Sequence, residues 1–87
     1  MSKYLLTRTV GEIFEEDIKN AIAREEKLAE QMPNVRWIRS YYSEEEGKLY
    51  CEYEAPSIEE VYEFKRRTGI PIDHATMVQM LDPSMFH

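Results

Sequence analysis

The chain has 87 residues, of which 43% are hydrophobic and 32% are charged, and its formal net charge is −6. This length and composition predict one folded domain, residues 1–87, and the acidic balance disfavours nucleic acid or an anionic membrane as a partner. One cysteine, Cys51, cannot form an intramolecular disulfide, and neither a signal peptide nor a bilayer-spanning apolar stretch is evident, so we expect a cytoplasmic protein.

The first part of the chain has the pattern of a strand followed by a helix. Residues 3–10 are short and rich in apolar and β-branched side chains, which favours a strand that ends at Gly11. Apolar residues then recur every three or four positions, which predicts an amphipathic helix that ends at Pro33. Glu25 lies close to the apolar side of this helix. We interpret it as an edge residue that reaches water, with a buried functional carboxylate as the alternative.

The second part predicts a hairpin, a helix and a last strand. Residues 35–43 and 48–55 have strand character, and the turn between them, EEEG, lacks the alternating oxygen ligands of a calcium loop. Ser57 and Glu60 have the spacing of a capping box, so a second helix begins there and ends before Gly69. Lys65 lies in its basic last turn, which suits the helix dipole. Residues 74–81 predict a fourth strand and residues 84–87 a short tail.

The predicted order of elements is βαββαβ. With right-handed crossovers, this order gives an α+β, ferredoxin-like domain with a four-stranded antiparallel sheet and both helices on one face. The other face of the sheet is left uncovered. Because a domain this small has a thin core, we expect a homodimer.

The open face is predicted from the register of the hairpin. If Ser43 opposes Lys48, alternation along the strands separates a mostly apolar face from an aromatic and charged one. The second face contains the pairs Tyr41–Tyr50, Arg39–Glu52 and Trp37–Glu54. Two interpretations remain open: a solvent-facing or dimer-facing surface with an Arg39–Glu52 ion pair, or a pocket roofed by a second subunit. The pocket would bind a small molecule or metal through Trp37, Arg39, Tyr41, Glu52 and Glu54.

The sequence supplies few metal ligands. Two histidines, His74 and His87, and one thiol cannot form a four-ligand N/S zinc site within one chain. A site must therefore include carboxylates or water, or be shared across a dimer axis. Asp73 and His74 are the first candidate ligands, an exposed loop histidine being the alternative. Cys51 is interpreted as a small buried apolar residue, and no P-loop, G-x-S-x-G or G-x-G-x-x-G motif is present.

The hairpin also resembles a known family. The stretches VRWIRSY and CEYEAPS look like those of a small bacterial family of unknown function that includes a nickel-binding protein. The resemblance extends from KYLLTRT through TGIPID to the last strand. It implies a ferredoxin-like fold, a dimeric α/β-barrel arrangement and binding of nickel or a related divalent transition metal, without an established catalytic activity.

Two rival hypotheses remain beside metal binding. One is a small dimeric α/β-barrel enzyme, monooxygenase- or cyclase-like, that acts on an aromatic small molecule in a pocket on the open face. Tyr41, Arg39 and Glu52 would then be its acid–base and orienting groups, because an arginine–carboxylate pair in a dry pocket shifts the pKa values available for proton transfer. The other is a structural or regulatory dimer without a ligand.

Overall fold

Two helices cover one face of a four-stranded antiparallel sheet in the computed structural model, which describes residues 1–87. The strands lie in the order β2-β3-β1-β4, the ferredoxin-like α+β arrangement that was predicted. Neither helix is long and apolar enough to cross a membrane. The elements are β1 (Ser2–Thr9), α1 (Glu15–Ala29), β2 (Arg36–Ser43), β3 (Lys48–Ala55), α2 (Ile58–Thr68), β4 (His74–Val78) and a short C-terminal 3-10 helix (Pro83–Phe86).

The ends of α2 follow the predicted capping residues. The Ser57 hydroxyl oxygen accepts a hydrogen bond from the Glu60 amide at 3.3 Å, which satisfies one free donor of the first turn. At the other end Gly69 takes a left-handed conformation with φ 73°, and its amide donates to the carbonyl oxygens of Lys65 and Arg66. The predicted Ser57 N-cap and the predicted position of Gly69 are confirmed, while the return bond of a capping box, from the Glu60 side chain to the Ser57 amide, is not formed.

The C-terminal region differs from its prediction. β4 ends at Val78 instead of residue 81, because Val78 pairs with Lys3 near the start of β1 and a longer strand has little left to pair with. Residues 83–86 form a short helix instead of a tail. Asp82 begins it, accepting hydrogen bonds from the Ser84 amide at 2.9 Å and the Ser84 hydroxyl at 2.8 Å.

The hydrophobic core lies between the sheet and the helices. Tyr53 and Phe64 are almost fully buried at its centre and meet edge to face, with ring centroids 6.3 Å apart. Cys51 is buried beside them, as predicted. The buried cluster consists of Tyr4, Leu6, Val35, Cys51, Tyr53, Ala55, Val61, Phe64 and Ala75.

The register of the hairpin is as predicted from Ser43–Lys48 to Arg39–Glu52, and wrong beyond that point. A bulge follows, so that Trp37 pairs with Tyr53 instead of Glu54. The indole stacks on the Tyr53 ring with centroids 6.3 Å apart and an interplanar angle of 10°. The bulge thus turns a large apolar side chain towards the core, and Trp37 lies on the helix side of the sheet.

Gly47 joins the hairpin turn to the end of β1. Its carbonyl oxygen accepts hydrogen bonds from the Val10 and Gly11 amides, both at 2.9 Å, and its φ is +65°. A Cβ at this position would lie 3.2 Å from Gly11 Cα, whereas a Cβ at Gly69 (φ +73°) would meet nothing within 4 Å.

Because a Cβ meets backbone at Gly47 but open space at Gly69, alanine substitutions at the two positions should lower the free energy of unfolding by different amounts. Both Gly47→Ala and Gly69→Ala place a side chain in the left-handed region, at a cost of about 1–2 kcal/mol. Gly47→Ala should cost about 1 kcal/mol more, because the new methyl group presses on backbone that is hydrogen-bonded and cannot move away freely. Urea denaturation of the two variants measures the difference. Equal free energies of unfolding would show that the close approach to Gly11 has no energetic weight.

Candidate functional site

Four of the five residues predicted for the open face lie there: Arg39, Tyr41, Glu52 and Glu54. They alternate along their strands with residues that face the helices. Glu52 Oε2 lies 3.6 Å from Lys3 Nζ and 3.9 Å from Arg39 Nε, so the predicted Arg39–Glu52 ion pair is present. The Arg39 side chain is 61% exposed, and pairs of this kind contribute at most about 1 kcal/mol.

Trp37, the fifth residue, is on the opposite side of the sheet because of the bulge at residue 38. Its indole N–H donates to the Ser40 hydroxyl at 2.8 Å, and that hydroxyl donates to Cys51 Sγ at 2.8 Å. Trp37 is therefore fixed by a stack and a hydrogen bond on the helix side. The structure does not bring it together with Arg39 or Glu52.

Asp73 and His74 lie where the chain enters β4. His74 pairs with Thr7 and precedes the buried Ala75, which places the exposed imidazole on the open face. The Asp73 amide donates to the Thr7 carbonyl at 2.8 Å, and Asp73 Oδ2 accepts from the Thr9 hydroxyl at 2.5 Å. One protein chain has no group of three or more His, Cys, Asp or Glu residues that could hold a metal ion.

A cavity of about 440 Å³ lies on the helix side, between α1 and the sheet. Its walls are mostly apolar, but the guanidinium-bearing residues Arg8 and Arg24 both line it. Trp37 and Tyr42 form its aromatic wall. The enzyme hypothesis places its pocket on the open face instead, where a second subunit would have to close it.

A smaller void of about 20 Å³ continues inward from this cavity and shares Arg8 and Trp37 with it. Three polar side chains meet beside the void. Glu25 Oε1 accepts a short hydrogen bond from the Tyr53 hydroxyl, and Glu25 Oε2 lies 3.4 Å from Lys65 Nζ. The ammonium group also lies 4.7 Å from the centroid of the Tyr53 ring, a cation–π contact.

Burial changes the proton affinities in this cluster. It lowers the pKa of the Lys65 ammonium, although the neighbouring Glu25 carboxylate acts in the opposite direction. Burial also raises the pKa of the Tyr53 hydroxyl, and Glu25 raises it further. The pKa of the Cys51 thiol is raised by burial as well, which disfavours the thiolate that a nucleophile requires.

The volume of the void beside the buried cluster limits what can bind there. A void of about 20 Å³ has room for one water molecule and for no organic substrate. The Glu25 and Lys65 side chains are only 6% and 7% exposed. Glu25 also lines an open groove of about 540 Å³ beside Trp37 and Phe64. Because both charged side chains are this buried, the cluster is a polar element of the core.

Comparison with known proteins identifies the family. A profile for the family described as nickel responsive protein SCO4226-like matches residues 4–78. The chain belongs to this SCO4226-like family. The crystal structure of SCO4226 from Streptomyces coelicolor A3(2) is similar, with a TM-score of 0.80 and 21% identity over 93% of this chain and 100% of that chain. At that identity the similarity shows the fold alone, and no curated protein sequence matches.

The resemblance that the hairpin sequence indicated is thereby confirmed. The interpretation of the sequence nevertheless missed one feature of this SCO4226-like chain, the buried cluster of Glu25, Tyr53 and Lys65. Glu25 is 5% exposed and does not reach water, so the edge interpretation was wrong. Lys65 was assigned to the helix dipole, yet it is 6% exposed. The signal was present in the spacing, since the buried positions of α2 are Val61, Phe64, Lys65 and Thr68.

Proposed function

We propose that the protein is a small cytoplasmic homodimer that binds nickel or a related divalent transition metal, with His74 as a ligand. The observation that carries this proposal is membership of a family described as nickel responsive. The exposed imidazole of His74 on the uncovered sheet face agrees with it. Imidazole nitrogen is a ligand that suits Ni²⁺, and carboxylate oxygen can complete a mixed site.

Asp73 is the proposed second ligand because it precedes His74 and its carboxylate is already held in place. One of its oxygens is engaged by the Thr9 hydroxyl, so a metal would use the remaining oxygen. No third His, Cys, Asp or Glu completes a group with these two residues. The proposal therefore takes the remaining ligands from water or from a second copy.

The open face is the proposed contact surface for the second copy. It is the side of the sheet that the two helices leave uncovered, and it carries the half-exposed ring of Tyr41. Tyrosine is enriched at interfaces because it buries a large area and keeps a polar group at its tip. His74 lies on the same face, so a dimer formed there would place both imidazoles at or near the contact.

Thermal unfolding with and without Ni²⁺ tests the proposed ligand. A ligand that binds only the folded state raises Tm, so wild-type protein without a tag should show a Tm that increases with Ni²⁺ concentration. His74→Ala should abolish the increase, and Asp73→Asn should reduce it.

His87→Ala is the matched control, because His87 is the other histidine of the chain and lies at its exposed end. This variant should keep the full nickel-dependent shift. A shift that survives in His74→Ala would remove His74 from the site, and a shift that disappears in His87→Ala would show that the site requires His87. Absence of any shift in the wild type would contradict nickel binding itself.

A further inference from the structure

The cavity between α1 and the sheet has the properties of a ligand site that is separate from His74. We infer that it binds a small aromatic carboxylate, with the ring between Trp37 and α1 and the carboxylate on Arg8. His74 lies on the other face of the sheet, so this inference does not depend on metal binding.

Shape and wall chemistry agree with a small organic ligand. The volume of about 440 Å³ lies within the range of about 300–1,000 Å³ that such sites occupy. Eight of its 14 lining residues are hydrophobic, which suits an apolar or aromatic body. The remainder includes polar and charged groups that can fix the orientation of a ligand.

The aromatic wall is held in position before any ligand arrives. Trp37 stacks on Tyr53 and donates its indole N–H to Ser40. The Tyr42 hydroxyl donates to the Gly11 carbonyl at 2.8 Å. Rings that are already fixed lose little further conformational entropy when a flat ligand packs against them.

The two arginines in the wall of the cavity favour an anionic ligand. Arg8 and Arg24 line the cavity, and neither takes part in any of the five ion pairs of this acidic protein. Arg8 Nε is buried and has no hydrogen-bond partner, which is costly for a charged donor. A carboxylate matches the forked donors of a guanidinium, so an anionic ligand fits a cavity that two arginines line.

Two carboxylates at the same cavity do not already neutralise these arginines. Asp17 lines the cavity, but its Oδ2 accepts a hydrogen bond from the Phe14 amide at the start of α1. Glu12 also lines the cavity, is exposed, and forms no ion pair.

Glu25 is a third carboxylate near Arg8, since both line the small void, but its two oxygens are engaged by the Tyr53 hydroxyl and the Lys65 ammonium. Arg8 therefore lines the cavity without an ion-pair partner of its own.

Cinnamate and its neutral analogue, cinnamyl alcohol, test this site. Trp37 is the single tryptophan of the chain, so its indole N–H gives one signal in a proton–nitrogen correlation spectrum. Titration of the full chain with cinnamate should shift this signal saturably. Cinnamyl alcohol should bind about tenfold or more weakly, the ratio expected for loss of a hydrogen bond to a charged group.

Three variants locate the site. Arg8→Met keeps most of the side-chain volume and should weaken cinnamate binding about tenfold while leaving the alcohol unchanged. Arg39→Met, on the open face, is the charge-matched control and should bind cinnamate as the wild type does. Ala21→Leu keeps Arg8 and fills the cavity from α1, so it should weaken both probes, which keeps the test decisive if Arg8→Met does not fold.

Several outcomes would overturn the inference. One is the absence of a saturable shift of the Trp37 signal with cinnamate. Another is equal affinity for the acid and the alcohol, which would leave Arg8 without a role. Unchanged cinnamate binding in Ala21→Leu would place the ligand elsewhere.

Discussion

Replacing Glu25 with glutamine is expected to lower the free energy of unfolding by about 3–5 kcal/mol, the range measured when one partner of a buried ion pair is removed. The substitution keeps the size of the side chain but leaves the Lys65 ammonium, 6% exposed, without its counter-charge. Glu26→Gln is the matched control, because Glu26 is the next residue of α1 and is exposed. It should change stability by less than about 0.5 kcal/mol. Urea denaturation at neutral pH measures the free energy of unfolding of both variants.

A double-mutant cycle separates the ion pair from its surroundings. Lys65→Met alone should also destabilise the protein, because the Glu25 carboxylate then keeps only its hydrogen bond from Tyr53. The double variant with Glu25→Gln should cost less than the sum of the two single variants by about 0.5–3 kcal/mol. Additive effects, or a Glu25→Gln variant as stable as Glu26→Gln, would show that the pair is not coupled inside the core.

Truncating Phe64 to alanine should destabilise the protein by about 3–5 kcal/mol. The ring is 2% exposed and packs edge to face on Tyr53, so its removal leaves a cavity at the centre of the core. Tyr62→Ala is the matched control on the same helix, because Tyr62 is 48% exposed.

The control should cost less than about 0.5 kcal/mol, because Tyr62 is exposed and alanine has a higher helix propensity than tyrosine. Guanidinium denaturation, analysed with the same m-value for both variants, measures their free energies of unfolding. Similar losses for Phe64→Ala and Tyr62→Ala would contradict the placement of the core between α2 and the sheet.

The hairpin shows what alternation in a sequence can predict. Five pairs, from Ser43–Lys48 to Arg39–Glu52, follow from a four-residue turn and the period of a strand. The bulge beyond them does not follow, because it depends on the gain from stacking Trp37 on Tyr53 in the folded core. Local sequence contains no sign of that gain, so the predicted partner of Trp37 was wrong.

The buried pair of Glu25 and Lys65 shows a second limit. Each residue occupies an inward position of its own helix, yet a charged residue read within one helix is normally assigned to solvent. The two are 40 positions apart, and only the packing of α1 and α2 on the same face of the sheet brings them together. Opposite charges at inward positions of two helices are the signal that would have predicted the contact.

The sequence did not predict the cavity between α1 and the sheet either, because the predicted pocket was on the open face. Trp37 was the one residue of that predicted pocket that lines the helix-side cavity instead. Arg8, within β1, gave no local sign of an unpartnered buried donor. Its position relative to α1 depends on the whole fold.

Native mass spectrometry of protein without a tag, before and after chelation and then with added Ni²⁺, Zn²⁺ and Co²⁺, tests metal binding by a dimer most directly. We expect a mass of two chains that takes up Ni²⁺ in a fixed stoichiometry, and a His74→Ala dimer that takes up none. A protein that remains metal-free with all three ions would contradict the proposed function, and a metal-loaded monomer would contradict the shared site.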